Sequence, residues 1–428
     1  MSVRADELAR VRSPGGAPAG SLLRAYGFRR LLIGQSVSSL GDWVATLAFI
    51  AAAFALTNGD QAAIAVVLVL RLVPPIFAAP LGGVVADRLS RRTIMVASDL
   101  IRAALILAVP FVGIVGLYLL AFVHECVSLF FLPSRDASIP GLVPDRRLED
   151  ANGLMLAASY GSIPIAAAVF GGLRVAPAHL PLPSWFRAHP TALAFVFDSA
   201  TFLFSAAMNA GLPLGRGARH SELQLFRDLL EGVRYIVRHP ALRSLSYGLV
   251  VSMFGGGVLF AVGIGYVHQT LGGSDAAFGW LAALWGAGMA LGLGAVRLLP
   301  GGGRPREFLA AVVACGLVLG LMAMAPVLWM AFVAAVVFGM AFAVAIVLAL
   351  TMAQEQADNR VRGRVMGGVQ MLFRAGLGLG ALGIGWLAHA AGELSLPVDG
   401  NQVGLLAGAV LILLGAAAAG GVLRQRPS

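Results

Sequence analysis

Charged residues and cysteines are scarce in this chain of 428 residues. Charged side chains make up 12% of it and apolar side chains 58%, against about 25% and about 45–50% in soluble domains. This balance excludes a soluble enzyme, an intrinsically disordered chain and a nucleic-acid-binding domain. The two cysteines, Cys126 and Cys315, both lie inside apolar runs. The sequence therefore predicts neither a disulfide framework nor a thiolate metal site.

Lysine is missing altogether, since all 31 basic residues are arginine. A formal net charge of +10 is compatible with a nucleic-acid surface. In an integral membrane protein the simpler explanation is that the excess cations lie in cytoplasmic loops. We therefore predict no nucleic-acid partner and expect the lipid bilayer to surround the chain.

Long hydrophobic runs occupy most of the sequence. Twelve stretches are long enough to cross a bilayer, which takes about 20 apolar residues. We number them spans one to twelve, and they cover 31–56, 62–86, 93–115, 117–142, 151–174, 191–212, 244–269, 276–299, 307–326, 328–352, 365–390 and 402–423.

The arginines fall in alternate loops between these spans. The loops opposite the N-terminal side hold only Arg187, with Arg174 at the edge of the same loop. Because arginine concentrates in cytoplasmic loops, we predict a multi-pass protein of the inner cell membrane with both termini cytoplasmic. Residues 1–30 hold six arginines and lack an apolar core. They are expected to form a cytoplasmic tail without a cleavable signal peptide.

The longest interruption, residues 213–242, divides the spans into six plus six. Its apolar residues follow a helical period, which predicts an amphipathic helix at the cytoplasmic membrane surface. Residues 31–212 and 243–428 are then an N-terminal and a C-terminal six-helix bundle. Two packed bundles with a basic linker are typical of a transporter.

A motif follows span two in the segment LGGVVADRLSRRTIM. It resembles the signature loop of the major facilitator superfamily, with Ser90 in place of the usual glycine. The matching residues are Gly83, Asp87, Arg88, Arg91 and Arg92. The resemblance implies an all-α integral membrane fold of twelve transmembrane helices, a monomer, and secondary transport of a small molecule without a cofactor.

Three further segments resemble the drug:proton antiporter branch, which includes macrolide and siderophore exporters. They are FRRLLIGQSVSSLGDW, PSRDASIPGLVPDRRLEDANGL and VRGRVMGGVQ. The antiporter motif of span five appears only as SYGSIPIAAA, in which Pro164 is kept and Ile163 replaces a glycine. Ala167 and Ala168 are small replacements that still allow close helix packing.

The signature loop of this superfamily is understood to latch the two halves on the cytoplasmic side. Carried over, Asp87 faces the start of span eleven near residues 363–367, where the helix dipole is positive. Arg91 pairs with Asp136 at the inner end of span four. The alternative is that Arg88, Arg91 and Arg92 are only topology signals.

Ionisable groups inside spans cost at least about 2.5–3.5 kcal/mol at mid-depth, so each needs a reason. Asp42 lies about 16 Å into span one. Glu125 in span four lacks an opposite charge within a helical turn, because the neighbouring His124 points elsewhere on the helix. With Asp198 in span six, these two are the candidates for proton coupling, Asp42 and Glu125 first. A structural role for each remains open.

For three arginines inside the spans, we predict mainly a structural role. Arg102 is three residues from Asp99 in span three, on the same face, so the two can form an ion pair. Arg71 in span two and Arg374 in span eleven can either pair with the carboxylates or hold anionic groups of a cargo.

The resemblance favours proton-coupled efflux of a hydrophobic or amphipathic molecule by alternating access. A lipid or lysophospholipid translocator, and a solute importer of the same fold, are the alternatives within transport. A non-transporting membrane sensor or scaffold is the alternative of another class. The sequence has no phosphate-binding loop for ATP and no paired histidines at metal spacing, so we predict neither an enzyme nor a metal site.

Overall fold

The computed structural model describes residues 19–72, 90–144, 147–213, 231–298, 304–357, 362–394 and 397–424. Over these residues the chain is helical with short turns, and no strand occurs among them. The all-α fold class is therefore confirmed.

The first six spans run in order along the N-terminal half. They are span one, Tyr26–Leu56; span two, Gln61–Leu72; span three, Arg91–Ala108; span four, Ile114–Ser138; span five, Leu148–Tyr160 with Ile163–His179; and span six, Ala192–Ala210. A short helix, Ser184–Ala188, precedes span six, and single 3₁₀ turns cover Ala19–Arg24, Val109–Phe111 and Ile139–Gly141.

The other six spans follow the linker. They are span seven, Pro240–Gly265; span eight, Asp275–Ala295; span nine, Arg304–Ala323; span ten, Leu328–Gln356; span eleven, Arg362–Gly392; and span twelve, Gly400–Arg424. Tyr266–Thr270 extends span seven as a π-helical turn, and Val296–Leu298 ends span eight as a 3₁₀ turn.

Eleven of the described helical segments are long and apolar enough to cross a membrane. The twelfth predicted span, 62–86, is described only as the apolar helix from Gln61; the rest of it lies outside the described residues, as does 214–230 of the linker. Residues 231–238 are helical, and Ile236 is buried. A methyl group at Gly368 of span eleven would lie 3.0 Å from the Ile236 side chain, so this end of the linker packs on the C-terminal bundle.

Span five is broken where one continuous helix was expected. Its second segment starts at Ile163, with Pro164 in the first turn. Proline has no N–H to donate and its ring clashes with the preceding turn, so it fits a helix start better than a helix interior. The break places Pro164 and Ala167 against Gly286 of span eight, whereas Ala168 is exposed.

The two halves approach each other most closely where glycines line the contact. A methyl group at Gly286 would collide with the Pro164 carbonyl, and one at Gly171 would lie 3.1 Å from the Gly279 carbonyl carbon. Side-chain-free positions let the two backbones approach within van der Waals contact. Spans five and eight therefore form a close helix pair across the two halves.

One end of the molecule is closed by hydrogen bonds between the halves. Gln61 Nε2 donates to Asn401 Oδ1 and to Gln269 Oε1, at 2.8 Å each. Asn401 Nδ2 donates to Gln269 Oε1 at 3.0 Å. Beside them, His389 Nδ1 lies 3.0 Å from Asp60 Oδ1. The turn between spans one and two is thus joined to the end of span seven and to spans eleven and twelve.

Candidate functional site

Gly41 brings spans one and six together in the middle of the N-terminal bundle. A methyl group on Gly41 would collide with Thr201 Oγ1 and Asp198 Oδ1. Only a residue without a side chain leaves room for this approach. It sets Asp42, the next residue of span one, beside the carboxylate of Asp198.

Asp42, Asp198 and His124 form a cluster at this point, which we call the triad. One side-chain ligand atom from each lies within 4.8 Å of the other two. Asp198 is 0% exposed and His124 is 1% exposed, whereas Asp42 is half-buried. Spans one, four and six therefore each contribute one polar group to a buried site.

Several polar atoms of the triad lack a hydrogen-bond partner among the described residues. They are both ring nitrogens of His124 and Asp198 Oδ2. The other carboxylate oxygen, Asp198 Oδ1, accepts a hydrogen bond from Thr201 Oγ1 at 3.1 Å. Buried polar atoms are usually paired, so these three mark a place where a ligand or a proton belongs.

Glu125 has a partner that the sequence did not reveal. Arg71 Nη2 of span two lies 3.4 Å from Glu125 Oε1, and the two side chains are 5% and 11% exposed. Of the two roles left open for Arg71, the structure therefore shows pairing with a carboxylate, and this partner comes from another helix. His124 Nδ1 also lies 3.7 Å from Glu125 Oε1.

Arg71 and Arg374 differ in what they contact. The Arg71 guanidinium also lies over the Phe49 ring, 4.7 Å from its centroid. Arg374 is half-buried on span eleven, and no ion pair joins it to Glu125 among the described residues. The cation paired with Glu125 therefore comes from the same half of the molecule.

Asp99 and Arg102 form a buried ion pair, as their spacing in span three predicts. Asn209 Nδ2 donates to Asp99 Oδ2 at 2.9 Å. The Arg102 guanidinium is held between the rings of Phe131 and Phe202, 4.3 Å from each centroid. With its hydrogen bonds and ring contacts in place, this pair has the features of a packing element.

The gate residues are only partly described. Gly83, Asp87 and Arg88 lie outside the described residues. The pairing of Arg91 with Asp136 is wrong, because Arg91 Nη1 donates to the carbonyl of Ala137. Asp136 is held instead by Arg135, whose Nη2 is 2.7 Å from its Oδ1. Arg135 is next to Asp136 in sequence and pairs with its carboxylate, whereas Arg91 comes from another span.

Arg92, the last residue of the motif, is exposed. Ser90, where the family has glycine, is the N-cap of span three, and its side chain accepts a hydrogen bond from the Thr93 N–H at 3.1 Å. The substitution therefore keeps the helix start at this loop well capped.

A narrow apolar recess of about 30 Å³ lies between the two halves. It is lined on one side by Leu47 and Ile50 of span one, and on the other by residues of spans seven and eight that include Phe260, Phe278 and Trp285. Leu47 is five residues beyond Asp42, or about 8 Å along the helix axis. The recess and the triad therefore share span one.

The sequence did not single out His124 or Trp285. A lone histidine in an apolar span carries no spacing pattern, and Trp285 has the hydropathy of ordinary helix packing. Trp285 Nε1 is buried without a hydrogen-bond partner among the described residues. Only the tertiary arrangement shows that His124 belongs to the triad and that Trp285 lines the apolar recess.

Two helical bundles, one of which holds a buried charge cluster, are the arrangement typical of a polytopic membrane transporter. The sequence matches the Major Facilitator Superfamily over residues 31–381, so the chain belongs to that superfamily. Proteins of this superfamily are membrane transporters and not enzymes.

Curated relatives match part of the chain. The uncharacterized MFS-type transporter YfiS of Bacillus subtilis (strain 168) is 28% identical over 272 residues, which are 62% of each protein. BacE of Bacillus subtilis, a candidate bacilysin exporter, is 28% identical over 242 residues, 54% of this chain and 56% of BacE. The chain thus matches less than two thirds of the length of these relatives.

Solved structures match nearly the whole chain in fold. The nucleoside transporter NupG has a TM-score of 0.68 at 14% identity, with 93% of this chain and 99% of that one covered. A bacterial homologue of the human lysosomal transporter Spinster, in an inward-facing and occupied conformation, has a TM-score of 0.69 at 16% identity, with 94% and 97% covered. These similarities support the fold.

Proposed function

We propose that this protein exports a hydrophobic or amphipathic small molecule by alternating access, and that the proton gradient drives the export. The observation that carries the proposal is the pairing of a buried triad with an apolar recess along span one. The recess offers apolar and aromatic side chains that a cargo can contact, and the triad offers carboxylates that a proton can occupy. Neither feature is needed for a purely structural scaffold.

The direction of transport rests on the relatives. BacE is a candidate exporter of bacilysin, and the sequence segments noted above resemble drug exporters. The fold itself does not distinguish export from import, since NupG transports nucleosides. A lysophospholipid or other lipid cargo is the second candidate, because the recess is lined by apolar and aromatic side chains.

The energy source is inferred from charge and burial. Export against a gradient needs an energy input, and the sequence has no phosphate-binding loop for ATP. Asp42 and Asp198 are the first candidates for coupling, because no cation forms an ion pair with either in the described part of the chain. Glu125 takes third place, because its pair with Arg71 favours the ionised form.

An efflux assay tests this function. Cells or proteoliposomes containing the protein are loaded with a lipophilic fluorescent dye, and its loss is followed with and without a protonophore. We expect energised extrusion that the protonophore abolishes and that Asp42→Asn and Asp198→Asn each abolish. Asp150→Asn, a change of a half-exposed carboxylate at the start of span five, should leave the dependence on the protonophore intact.

Three outcomes separate the alternatives. Movement of a fluorescent lysophospholipid alone supports the lipid translocator, and uptake without extrusion supports an importer. If neither dye nor lipid moves, the sensor or scaffold interpretation replaces the transporter role. Efflux that continues at the wild-type rate in both aspartate variants places the coupling site elsewhere.

The orientation in the membrane is part of the same proposal. Asn58 and Ser274 are both exposed and belong to turns that the arginine pattern places outside. Cysteine substitutions at these positions should react with a membrane-impermeant maleimide on intact cells. Reaction only after the cytoplasm is opened would reverse the topology.

A further inference from the structure

We infer that Asp42, His124 and Asp198 bind a single divalent first-row transition-metal cation of the Mn²⁺ class. The inference concerns binding and stands whatever cargo the protein moves. It rests on the geometry of the triad, in which one ligand atom from each residue lies within 4.8 Å of the other two. Two atoms bound to one ion at metal–ligand distances of about 2.0–2.2 Å are at most about 4.4 Å apart, so a small inward movement of the side chains would let all three bind the same ion.

The triad contains buried atoms that lack a partner. His124 is 1% exposed and Asp198 is 0% exposed. Both nitrogens of the imidazole and Asp198 Oδ2 have no hydrogen-bond partner among the described residues, although His124 Nδ1 lies 3.7 Å from Glu125 Oε1. A buried polar atom without a partner is unfavourable, and one bound cation would give a partner to the ring and to both carboxylates.

The charges around the triad favour an ion of charge two. Asp42 and Asp198 carry two negative charges when ionised, and the third carboxylate, Glu125, is matched by Arg71 at 3.4 Å. Arg102 is already engaged by Asp99. A divalent cation would therefore neutralise the site, and burial of paired charge is far less costly than burial of excess charge.

Size favours a metal ion over an organic cation. His124 and Asp198 are almost inaccessible, so an ammonium group on a large cargo would have to displace packed side chains to reach both. A bare or partly hydrated metal ion needs only the space between the ligand atoms. Asp42, the half-buried member, is the side from which such an ion can enter.

The donor set selects the class of metal. Two carboxylate oxygens suit hard ions such as Mn²⁺, and an imidazole nitrogen suits Fe²⁺ and Zn²⁺. Mg²⁺ and Ca²⁺ prefer oxygen ligands, so the histidine discriminates against them. The Glu125 carboxylate lies 3.7 Å from His124 Nδ1, which is longer than a hydrogen bond, and a slight approach would let it orient the ring as carboxylates orient metal-bound histidines.

The surrounding helices hold the ligands in place. Thr201 Oγ1 donates to Asp198 Oδ1 at 3.1 Å, which leaves Oδ2 directed elsewhere. The His124 ring packs on Phe202, with the ring centroids 5.5 Å apart. Ligands fixed by packing lose little freedom on binding an ion, which favours affinity.

Titration of the purified full-length protein with Mn²⁺ tests the inference. Electron paramagnetic resonance measures the free ion, whose signal falls as the ion binds. We expect one Mn²⁺ per chain, displaced by Zn²⁺ and not by Mg²⁺. Asp198→Asn, His124→Gln and Asp42→Asn should each weaken binding by at least about tenfold.

His179→Gln is the matched control, because His179 is exposed at the end of span five. This variant should leave the Mn²⁺ affinity unchanged. Gel filtration and thermal unfolding show whether each variant folds. If His124→Gln fails to fold, the half-buried Asp42→Asn decides the question. No binding by the wild type, wild-type affinity in the ligand variants, or equal loss in the control overturns the inference.

The two proposals fail separately. A protein that binds Mn²⁺ at the triad and moves neither dye nor lipid retains this site and loses the export function. A protein that exports dye and ignores Mn²⁺ retains the function and loses the metal site.

Discussion

Gly41 is the residue on which the geometry of the triad depends most directly. A side chain at this position would meet Thr201 and Asp198 on span six, and both of these are buried. Glycine here is required by the close approach of two helices and not by a backbone angle that only glycine adopts. The position is invisible in the sequence, where span one holds other glycines.

Gly41→Ala should therefore force spans one and six apart. We expect a loss of about 1–3 kcal/mol in stability, the usual cost of overpacking, together with loss of transport. Thermal unfolding of the purified protein and the efflux assay measure the two effects. Gly172→Ala is the control, because a methyl group there meets nothing within 4 Å. Equal melting temperatures for the two variants would show that the packing at Gly41 has been misjudged.

The Arg71–Glu125 pair shows how burial changes the effect on stability of losing one member of an ion pair. Both side chains are nearly inaccessible, whereas Asp136 in the Arg135–Asp136 pair is 59% exposed. Removing one member of a buried pair leaves an uncompensated charge in the membrane interior, whereas water screens the exposed group.

Arg71→Gln should cost about 3–5 kcal/mol, and Asp136→Asn no more than about 1 kcal/mol. Adding Glu125→Gln to Arg71→Gln should restore part of the loss, because the stranded carboxylate is then neutral. Unfolding free energies of the single and double variants measure this coupling. A double variant as unstable as the sum of the two single variants would mean that the pair does not interact.

At the start of span three, a single side chain stabilises the helix that follows it. Ser90 stands where the superfamily has glycine, and its side chain accepts a hydrogen bond from the Thr93 N–H. The four N–H groups at a helix start have no partner within the helix, so a serine that accepts from one of them stabilises the helix. Span three then presents Asp99 and Arg102 to spans four and six.

Ser90→Ala should lower stability by about 1 kcal/mol, whereas Ser90→Gly should cost only a few tenths. The glycine variant is the matched control, since it removes the same hydroxyl but keeps a residue that N-cap positions tolerate. Thermal unfolding of the two variants side by side gives the difference. An alanine variant that unfolds at the wild-type temperature would show that the cap contributes nothing.

Element packing across the two halves depends on small residues. Spans five and eight meet at Gly171, Gly279 and Gly286, because without side chains the helix axes come close enough for backbone contact. Pro164 lies at the start of the second segment of span five, where the span is divided into two helices and not bent as one continuous helix. The pair forms one of the closest contacts between the two bundles.

At the scale of the whole molecule, the closed end is the feature that defines the state of the transporter. Gln61, Gln269 and Asn401 form a hydrogen-bonded triangle across the halves. Alternating access requires that such contacts form in one state and break in the other. Each amide that is removed should therefore shift the balance of states without unfolding the bundles.

Asn401→Ala should populate the state in which this end is open. Spin labels at Asn58 and Ser274, one on each half, should report a longer distance by double electron–electron resonance. Gln402→Ala is the control, because Gln402 Nε2 donates to the Ala323 carbonyl within the C-terminal half. An unchanged distance distribution in Asn401→Ala would mean that the amide triangle does not hold the halves together.

The sequence by itself determined the membrane class, the helical spans and the superfamily, because these follow from composition, run length and a motif read along the chain. It also predicted the Asp99–Arg102 pair, whose partners lie on one helix turn. Only the tertiary structure decided that Arg71 neutralises Glu125, that His124 joins Asp42 and Asp198, and that Arg91 contacts the Ala137 carbonyl and not Asp136. Those contacts join residues on different elements, and helical periodicity gives the face of one helix but not the identity of the helix packed against it.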